Sequence, residues 1–381
     1  MNRSKDIKEV TVFTKGDASK LRTWSNVPYF FTHTLEEKGI IVRRVAIETN
    51  PRLERIFTKT IYRIYSKLFP GTTYSFQRSF LHYIAVRRSI KKAIKKYPAT
   101  DVFYFMTFSF SSIGLSKKPC VMICDWTYEY YFKYFVERAP DTLERTAIAR
   151  ENKQIRDSDL TVPLFPGVAE FLQHTKHMDK VHYFGHIINS LESCNVQEVL
   201  ETKQHATSIV FIGSKKYLQG AEVLIQSFQQ LKKRYPQLTL HIIGMDGDGF
   251  SELPESIEFH GYLDKEIPSE RATYYNILRE AKFMVNTTPK WGAFSATVEA
   301  MYFCNPVIVA PYREFVKTFG TEISFGSFCE ENTTEVLASL MEQLLLHSEY
   351  KAVCTAAHQA VSSFTWNTFV DRVLTHTQKN L

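Results

Sequence analysis

The feature that most constrains the fold of this chain is a regular alternation of short apolar segments with longer amphipathic ones. Short runs rich in Val, Ile and Phe, bounded by Gly, Asp or Pro, are typical of buried strands, and the segments between them have helical spacing. Such alternation predicts a parallel, doubly wound α/β sheet. The predicted strands of the first half are EVTVFT (9–14), IIVRRVAI (40–47), DVFYFMT (101–107), CVMICD (120–125) and DLTVPL (159–164).

The same alternation starts again near Ser208. A chain of 381 residues is too long for one compact core, so we predict two domains, with a boundary between residues 195 and 196. The polar segment 192–207 is the predicted linker. The strands of the second half are SIVFIG (208–213), LTLHIIG (238–244), IEFHGYL (257–263), KFMVNTT (282–288) and PVIVAP (306–311).

The cysteines and the hydropathy of the sequence indicate the cellular compartment of the protein. The six cysteines match no zinc-site spacing, and Cys120 and Cys124 lie in an apolar strand, where buried thiols are expected. The N-terminus has no signal-peptide pattern, and no apolar run reaches the ~18 residues of a membrane span. We therefore expect a cytoplasmic protein.

Positive charge is concentrated between residues 52 and 96, which hold twelve Lys or Arg against one acidic residue, Glu54. A solvated basic helix face is one interpretation. Attraction to an anionic membrane surface, peripheral on its inner face, is another. Nucleic acid is disfavoured because no nucleic-acid motif accompanies the charge.

The segment TPKWGAFSATVEAM (288–301) has the pattern of a ligand-binding turn. A helix that begins near residues 293–295 presents free backbone N–H groups and a positive dipole end, which favour phosphate. Gly292 allows a ligand to approach the backbone. Glu299, one turn into the helix, can accept two hydroxyl hydrogen bonds from a ribose, or it can be an ordinary solvated or capping glutamate.

An ordered set of loose motifs resembles the family 4 glycosyltransferases of the GT-B fold. The donor-domain motifs are FIGSKKYLQGAEVLIQSF, LTLHIIG, IEFHGYL, TPKWGAFSATVEAM and NPVIVAP. The acceptor-domain motifs are TWSNVPYFFTHTLEEKGI, YSFQRSFLHYIA, DVFYFMT, CDWTYEYY and KVHYFGHIIN. The final motif, FTWNTFVDRVL, resembles the helix that returns to the first domain, so residues 363–381 are assigned there and the second domain becomes 196–362.

The resemblance implies two Rossmann-like domains that face a cleft. It also implies a nucleotide-diphosphate sugar on the second domain and a glycan or lipid-linked acceptor on the first. Transfer usually occurs with retention of configuration, and no metal or other cofactor is expected.

The resemblance assigns donor-site roles to particular residues. Glu299 matches the second glutamate of a Glu-x7-Glu motif, which holds the ribose, and Trp291 stands where the first glutamate touches the donor sugar. The following turn, where the helix starts, consists of Gly292, Ala293, Phe294 and Ser295. Gly261 and Tyr262 lie where the backbone meets the base.

The sequence departs from the family pattern at several donor contacts. After the strand glycine, Gly213, the family's diphosphate-binding Arg and Lys are replaced by Ser214 and Gln219. Cys304, or Asn305 in a shifted register, replaces a glycine before the last strand. Three nearby lysines can supply the missing charge: Lys215, Lys216 and Lys290.

The departures leave two roles open for Trp291 and two classes for the chain. Trp291 either stacks on a sugar ring or plugs a vacated pocket. The alternative to an enzyme is a catalytically inactive GT-B protein that acts as a partner subunit or binding module. A sugar-nucleotide epimerase is a further alternative, which the missing cations and the first-domain motifs disfavour.

On the acceptor side, Asp125 ends a predicted strand, with Trp126 and Thr127 beside it. Asp125 either positions an acceptor hydroxyl and takes its proton, or caps a helix or forms a salt bridge. Asn26 occupies the loop after the first strand, where the family often has glycine. We therefore predict a glycosyltransferase of cell-surface polysaccharide biosynthesis, with Asp125 and Trp291 as its catalytic residues.

Overall fold

The computed structural model describes residues 6–136, 138–248, 250, 253–288 and 294–379. The chain forms two compact units. The first extends to His186 and includes the C-terminal helix from Trp366, and the second is Ile187–Thr365. Each unit is built around one parallel sheet, as the alternation of patterns predicts.

The sheet of unit 1 has five parallel strands in the order β2-β1-β3-β4-β5. The order reverses between β1 and β3, and such a switch point opens a crevice at the carboxyl ends of the strands. The strands are β1 (Glu9–Thr14), β2 (Ile41–Ala46), β3 (Val102–Phe105), β4 (Cys120–Cys124) and β5 (Leu160–Pro163).

Helices connect these strands. A short π-helical segment, Thr58–Tyr62, lies between the second and third helices, and another, Phe171–Thr175, continues the seventh. Short 3-10 turns occupy Thr23–Asn26 and Phe76–Arg78. The helices are α1 (Val27–Glu37), α2 (Pro51–Phe57), α3 (Arg63–Leu68), α4 (Phe80–Lys96), α5 (Tyr128–Phe135), α6 (Thr142–Asp157) and α7 (Pro166–Glu170).

Helix α4 carries half of the lysines and arginines of the basic segment. His82, Val86, Ile90 and Ala93 are buried at helical spacing, which places the lysines and arginines on the outer face. Within the described part of the chain, no helix is long and apolar enough to cross a membrane.

The sheet of unit 2 has six parallel strands in the order β11-β10-β9-β6-β7-β8. Counted from the start of the unit, this is the 3-2-1-4-5-6 order of dinucleotide-binding sheets, with its switch point between β6 and β9. The strands are β6 (Ser208–Ile212), β7 (Thr239–Ile243), β8 (Ile257–Phe259), β9 (Ala281–Asn286), β10 (Val307–Val309) and β11 (Gly326–Phe328).

The helices of unit 2 follow the strands, and a 3-10 turn, Lys215–Tyr217, precedes the second of them. They are α8 (Val196–Gln204), α9 (Leu218–Lys232), α10 (Pro268–Glu280), α11 (Ser295–Tyr302), α12 (Arg313–Phe319), α13 (Thr334–Leu345) and α14 (Tyr350–Val361).

The last helix, α15 (Trp366–Lys379), belongs to unit 1, which confirms the predicted return of the chain. Trp366 stacks on Phe30 of α1 with ring centroids 6.0 Å apart. Arg372 donates a hydrogen bond of 2.6 Å to the Phe184 carbonyl.

The predicted linker is wrong over most of its length, because α8 lies within it. Val199 and Leu200 are buried against Cys304 and Cys354, so the helix is part of the packing of unit 2. The buried ammonium of Lys203 donates to the Leu278 carbonyl and to Asn305 Oδ1 at 3.1 and 2.8 Å. The polar composition of the segment predicted an exposed linker, because lysine is rarely buried and Lys203 was therefore expected at the surface.

Candidate functional site

Unit 1 holds a pocket of about 910 Å³ at the switch point of its sheet. Its walls come from the segments that follow β1, β2, β3 and β4, which is where parallel sheets bind ligands. The lining residues are Thr14, Lys15, Gly16, Arg22, Thr23, Trp24, Pro28, Ile47, Glu48, Thr49, Pro51, Met106, Thr107, Cys124 and Asp125.

Asp125, directly after β4, is one of the two carboxylates that line this pocket, and Glu48 is the other. Its Oδ1 accepts from the Trp126 backbone N–H at 2.8 Å, and its Oδ2 accepts a long bond of 3.4 Å from the Trp24 indole. Burial raises the pKa of Asp125 above its usual value. A carboxylate in a pocket whose pKa is raised is suited to proton transfer.

Asp125 does not cap the helix that follows. Thr127 does so, since its hydroxyl accepts from the Tyr130 N–H at 3.0 Å at the start of α5. Trp126 packs among aromatic rings, with Phe165 and Phe135 at 4.8 and 5.0 Å between centroids. Neither Trp126 nor Thr127 is among the residues that line the pocket.

The loop before α1 has an unusual backbone. Trp24, Ser25 and Asn26 all have positive φ, at 41°, 53° and 71°. Left-handed backbone costs roughly 1–2 kcal/mol for a residue with a side chain, and it clusters at functional sites. Asn26 therefore adopts the conformation for which glycine is suited, and the same loop brings Trp24 to Asp125.

Cationic side chains border the pocket, and the sequence analysis did not single them out. Lys15 and Arg22 line the pocket, and Lys15 Nζ donates to Gln77 Oε1 at 2.6 Å. Arg78 lines a neighbouring pocket that also includes Lys15, and it donates to Ser109 Oγ and Glu151 at 3.2 and 3.1 Å. Burial and the neighbouring Arg78 lower the pKa of Lys15. The sequence signal that could have identified Lys15 as a pocket residue is its position immediately after a predicted strand.

In unit 2, the turn after β6 lies at the switch point and depends on glycine. A Cβ on Gly213 would lie 2.9 Å from the Phe211 ring, so no larger residue fits. The predicted phosphate-side residues are all exposed on the 3-10 turn and the first turn of α9: Ser214, Lys215, Lys216 and Gln219.

The turn after β8 lies beside the turn after β7. Gly261 has φ 60°, and its carbonyl accepts from the Gly244 N–H at 2.6 Å. Tyr262 follows, with 67% of its surface exposed.

Helix α11 begins at Ser295, as expected. Phe294 precedes it, is buried and packs on Phe315 with centroids 5.2 Å apart. The predicted sugar-side residues Lys290, Trp291, Gly292 and Ala293 lie outside the described residues.

Glu299, on α11, lies in a closed network. Its two oxygens accept from Lys265 Nζ at 2.6 and 2.7 Å, from the Tyr274 hydroxyl at 2.9 Å and from the Tyr275 hydroxyl at 3.1 Å. The carboxylate is 4% exposed. A carboxylate offers about four acceptor positions, so these partners use its full capacity.

The contacts around Glu299 also hold the position and the protonation state of Tyr274. Lys265 lies over the Tyr274 ring, 4.1 Å from the centroid, which adds a cation–π contact to the ion pair. Burial, together with the charge of Glu299, raises the pKa of Tyr274 well above its usual value, so this hydroxyl is a permanent donor. A sequence reading finds Glu299 but not the partners that surround it.

Comparisons with known proteins agree with this architecture. Residues 195–360 match the family model described as "Glycosyl transferases group 1". No curated protein shows a significant sequence match to the chain.

Solved structures are similar over nearly the whole chain. Sucrose-phosphate synthase from Thermosynechococcus elongatus is 14% identical, with a TM-score of 0.67, over 96% of this chain and 97% of that one. Anabaena HepE in complex with UDP and glucose is 13% identical, with a TM-score of 0.61, over 97% and 98%. α,α-Trehalose 6-phosphate synthase from Burkholderia multivorans is 9% identical, with a TM-score of 0.65, over 98% and 99%.

These similarities establish the GT-B fold, with two Rossmann-like domains of five and six parallel strands. The matched family model covers the second of these domains.

Proposed function

We propose that the chain is a glycosyltransferase that binds a nucleotide-diphosphate sugar on unit 2 and transfers the sugar to an acceptor held in the unit 1 pocket. The observation that carries the proposal is the pair of switch-point sites, one in each sheet, with the family-model match falling on the donor unit. A structural relative in complex with UDP and glucose supports the donor class.

Within the proposal, Asp125 takes the acceptor's proton. It lies on the pocket wall, and burial raises its pKa. Lys15 and Arg22, which line the same pocket as Glu48 and Asp125, would pair with negative charge on an acceptor such as a lipid-linked or cell-surface glycan. Metal independence and retention of configuration remain expectations of the family resemblance.

Donor binding at Glu299 requires an exchange of hydrogen bonds. A ribose diol would replace the Tyr274 and Tyr275 hydroxyls on the carboxylate, while Lys265 keeps its ion pair. The exchange keeps the number of bonds on Glu299 but removes the acceptor of two buried tyrosine hydroxyls. These hydroxyls must turn to new partners, since a buried donor left unsatisfied costs about 1–3 kcal/mol. The lysines of the β6 turn would face the diphosphate.

An inactive GT-B protein is the second candidate. The closed network around Glu299 favours it, since all four acceptor positions are used within unit 2. In that case the ion pair is a structural substitute for a lost nucleotide.

Thermal unfolding against UDP-, GDP-, dTDP- and CDP-sugars tests the proposal. A ligand at a hundred times its Kd stabilises the fold by about 2.7 kcal/mol, a shift of several degrees at roughly 2–4 °C per kcal/mol. We expect a shift with one nucleotide class, and turnover of that donor that needs Asp125. No shift with any of the four would favour the inactive alternative.

We also propose peripheral contact with an anionic membrane through the basic region 52–96. Large apolar side chains are exposed along α2 and α3, including Ile56 at 60%, Ile64 at 65% and Leu68 at 68%. Lysines and arginines alternate with them, which is the composition of helices that lie in a membrane interface.

Vesicle pelleting tests this contact. Ile64→Gln with Leu68→Gln, and separately charge reversal of Arg87, Arg88, Lys91 and Lys92, should each reduce binding to anionic vesicles. Neutral vesicles provide the control. Unchanged pelleting of both variants would contradict membrane contact.

A further inference from the structure

Three metal-ligating side chains from distant parts of the sequence meet inside unit 2. The ligand atoms of Cys194, Cys304 and His358 all lie within 4.8 Å of one another. Cys194 precedes α8, Cys304 follows α11 and His358 is on α14. Their separation in the sequence explains why no metal-site spacing is visible there.

We propose that Cys194, Cys304 and His358 form a binding site for a soft divalent metal ion, with Zn²⁺ as the fitting ion. Two thiolates and an imidazole match the preference of Zn²⁺ and exclude Mg²⁺ or Ca²⁺, which take oxygen ligands. Bonds of about 2.0–2.3 Å to a tetrahedral ion need ligand atoms roughly 3.5–3.8 Å apart, so only a small contraction is required.

The histidine is held in the tautomer that a metal site needs. His358 Nδ1 lies 2.6 Å from the Tyr302 carbonyl oxygen, which can only accept, so Nδ1 carries the proton. That leaves Nε2 as the ligand nitrogen. A ligating histidine typically donates its other N–H to a backbone carbonyl or a carboxylate in this way.

Tyr302 organises the rest of the cluster. Its ring stacks on His358 with centroids 5.2 Å apart, and its hydroxyl accepts from the Cys194 backbone N–H at 3.3 Å. One residue thus positions two of the three ligands.

The backbone of Cys304 has a conformation that is strained for any residue other than glycine. It is fully buried and has a left-handed backbone, with φ 57°. A glycine would adopt this conformation without strain. A thiol at this position fits a role for its sulfur as a ligand, since strained backbone clusters at functional sites.

The proposed ion would join three segments within unit 2. Because Cys304 directly follows α11, the metal would fix the end of the helix that carries Glu299. The remaining coordination position of a tetrahedral ion would be taken by water, since Cys194 is partly exposed.

Metal content of the full chain, purified under reducing conditions, is the direct test. We expect about one equivalent of Zn²⁺ per chain, retained against a chromogenic chelator, and a thiolate-to-metal charge-transfer band after Co²⁺ replacement. Cys194→Ser and His358→Gln should each weaken Zn²⁺ binding by about tenfold or more, since outer-shell changes alone cost 10–100-fold.

Two matched variants control the assignment. Cys329→Ser changes another buried thiol of unit 2, and His241→Gln changes a second cluster, His241 with Glu258 and His260. Both should bind Zn²⁺ like the wild type. Thermal unfolding without metal shows that each variant folds, and added Zn²⁺ should raise the Tm of the wild type but not of Cys194→Ser.

Three results of the binding experiments would overturn the proposal. These are no bound Zn²⁺ or Co²⁺ in the wild type, equal binding by the folded Cys194→Ser variant, or loss of binding in His241→Gln alone. A disulfide between Cys194 and Cys304 that forms equally fast with and without Zn²⁺ would also overturn it, because a bound ion protects its thiolates.

Discussion

Asp125 in unit 1 and Glu299 in unit 2 are carboxylates of the predicted acceptor and donor sites, and they are held in opposite ways. Asp125 lines a pocket of about 910 Å³, and its Oδ1 accepts from the Trp126 backbone N–H at 2.8 Å and from Cys124 Sγ at 3.3 Å. Glu299 is 4% exposed and accepts four bonds, two of them from an ammonium.

The difference shows that position in a fold does not determine what a carboxylate does. Burial without a cation raises the pKa of Asp125 and prepares it to accept a proton. Burial with Lys265 turns Glu299 into part of the internal architecture of unit 2. Under the proposed function, Asp125 is free of any ion pair with a described residue that would hold its proton off, whereas Glu299 must exchange partners before it can bind a ligand.

The largest expected effect follows from Glu299→Gln. The change leaves a buried ammonium without its counter-charge, and breaking such a pair costs about 3–5 kcal/mol of unfolding free energy. Denaturant unfolding followed by circular dichroism measures it. Adding Lys265→Met should recover part of the loss, and Glu222→Gln, on the exposed face of α9, should stay within about 0.5 kcal/mol. A loss below about 1 kcal/mol for Glu299→Gln would show that the network contributes little.

Asp125→Asn should lower the activity and leave the stability unchanged, in contrast to Glu299→Gln. We expect the transfer rate to fall by about 10²–10⁴-fold, the usual contribution of a general base, with no loss of stability. Steady-state kinetics with the donor identified by thermal unfolding gives the rate. Asp157→Asn, on the exposed face of α6, is the control and should remain active. An Asp125→Asn enzyme with more than a tenth of wild-type activity would exclude the proton-transfer role.

The pH dependence sharpens the comparison further. Because the folded pKa of Asp125 is raised, its protonated form is favoured in the fold, and its contribution to stability is greatest at low pH. That contribution is lost as the pH rises through the folded pKa, while the activity of a base rises over the same range. The stability difference between wild type and Asp125→Asn should therefore change across this window, with the variant relatively more stable above it. A difference that does not vary with pH would contradict the raised pKa.

The smallest effect is expected at Thr127, beside Asp125. Thr127→Ala removes the N-cap bond to Tyr130 and should cost about 1 kcal/mol of stability. Thr127→Ser keeps the hydroxyl and should cost less. Since Thr127 does not line the pocket, the transfer rate of the folded Ala variant should be close to that of the wild type. A rate loss of tenfold or more, restored by Ser, would instead assign Thr127 to acceptor binding.

The fold was predictable from the sequence because strand and helix periodicities are local signals. Apolar runs such as CVMIC became buried strands, and Asp125 and Gly213 fall at strand ends for the same reason. The predicted linker failed because α8 buries a lysine, and burial of a charge depends on acceptors that the rest of unit 2 supplies.

The environment of Glu299 was not predictable for a similar reason. Lys265 comes from the segment between β8 and α10, and Tyr274 and Tyr275 come from α10, so only the tertiary structure brings them to α11. The same holds for Cys194, Cys304 and His358. The roles of Lys290, Trp291, Gly292 and Ala293 remain predictions.

Calorimetric titration of nucleoside diphosphates into the wild type and Tyr274→Phe tests the central proposal most directly. The wild type should bind one nucleotide class, and Tyr274→Phe should bind it at least as tightly, because the ribose no longer competes for that acceptor position on Glu299. Tyr350→Phe, a tyrosine of α14 outside the network, should bind like the wild type. Failure of both the wild type and Tyr274→Phe to bind UDP, GDP, dTDP or CDP would contradict the account and identify the chain as an inactive member of the GT-B fold.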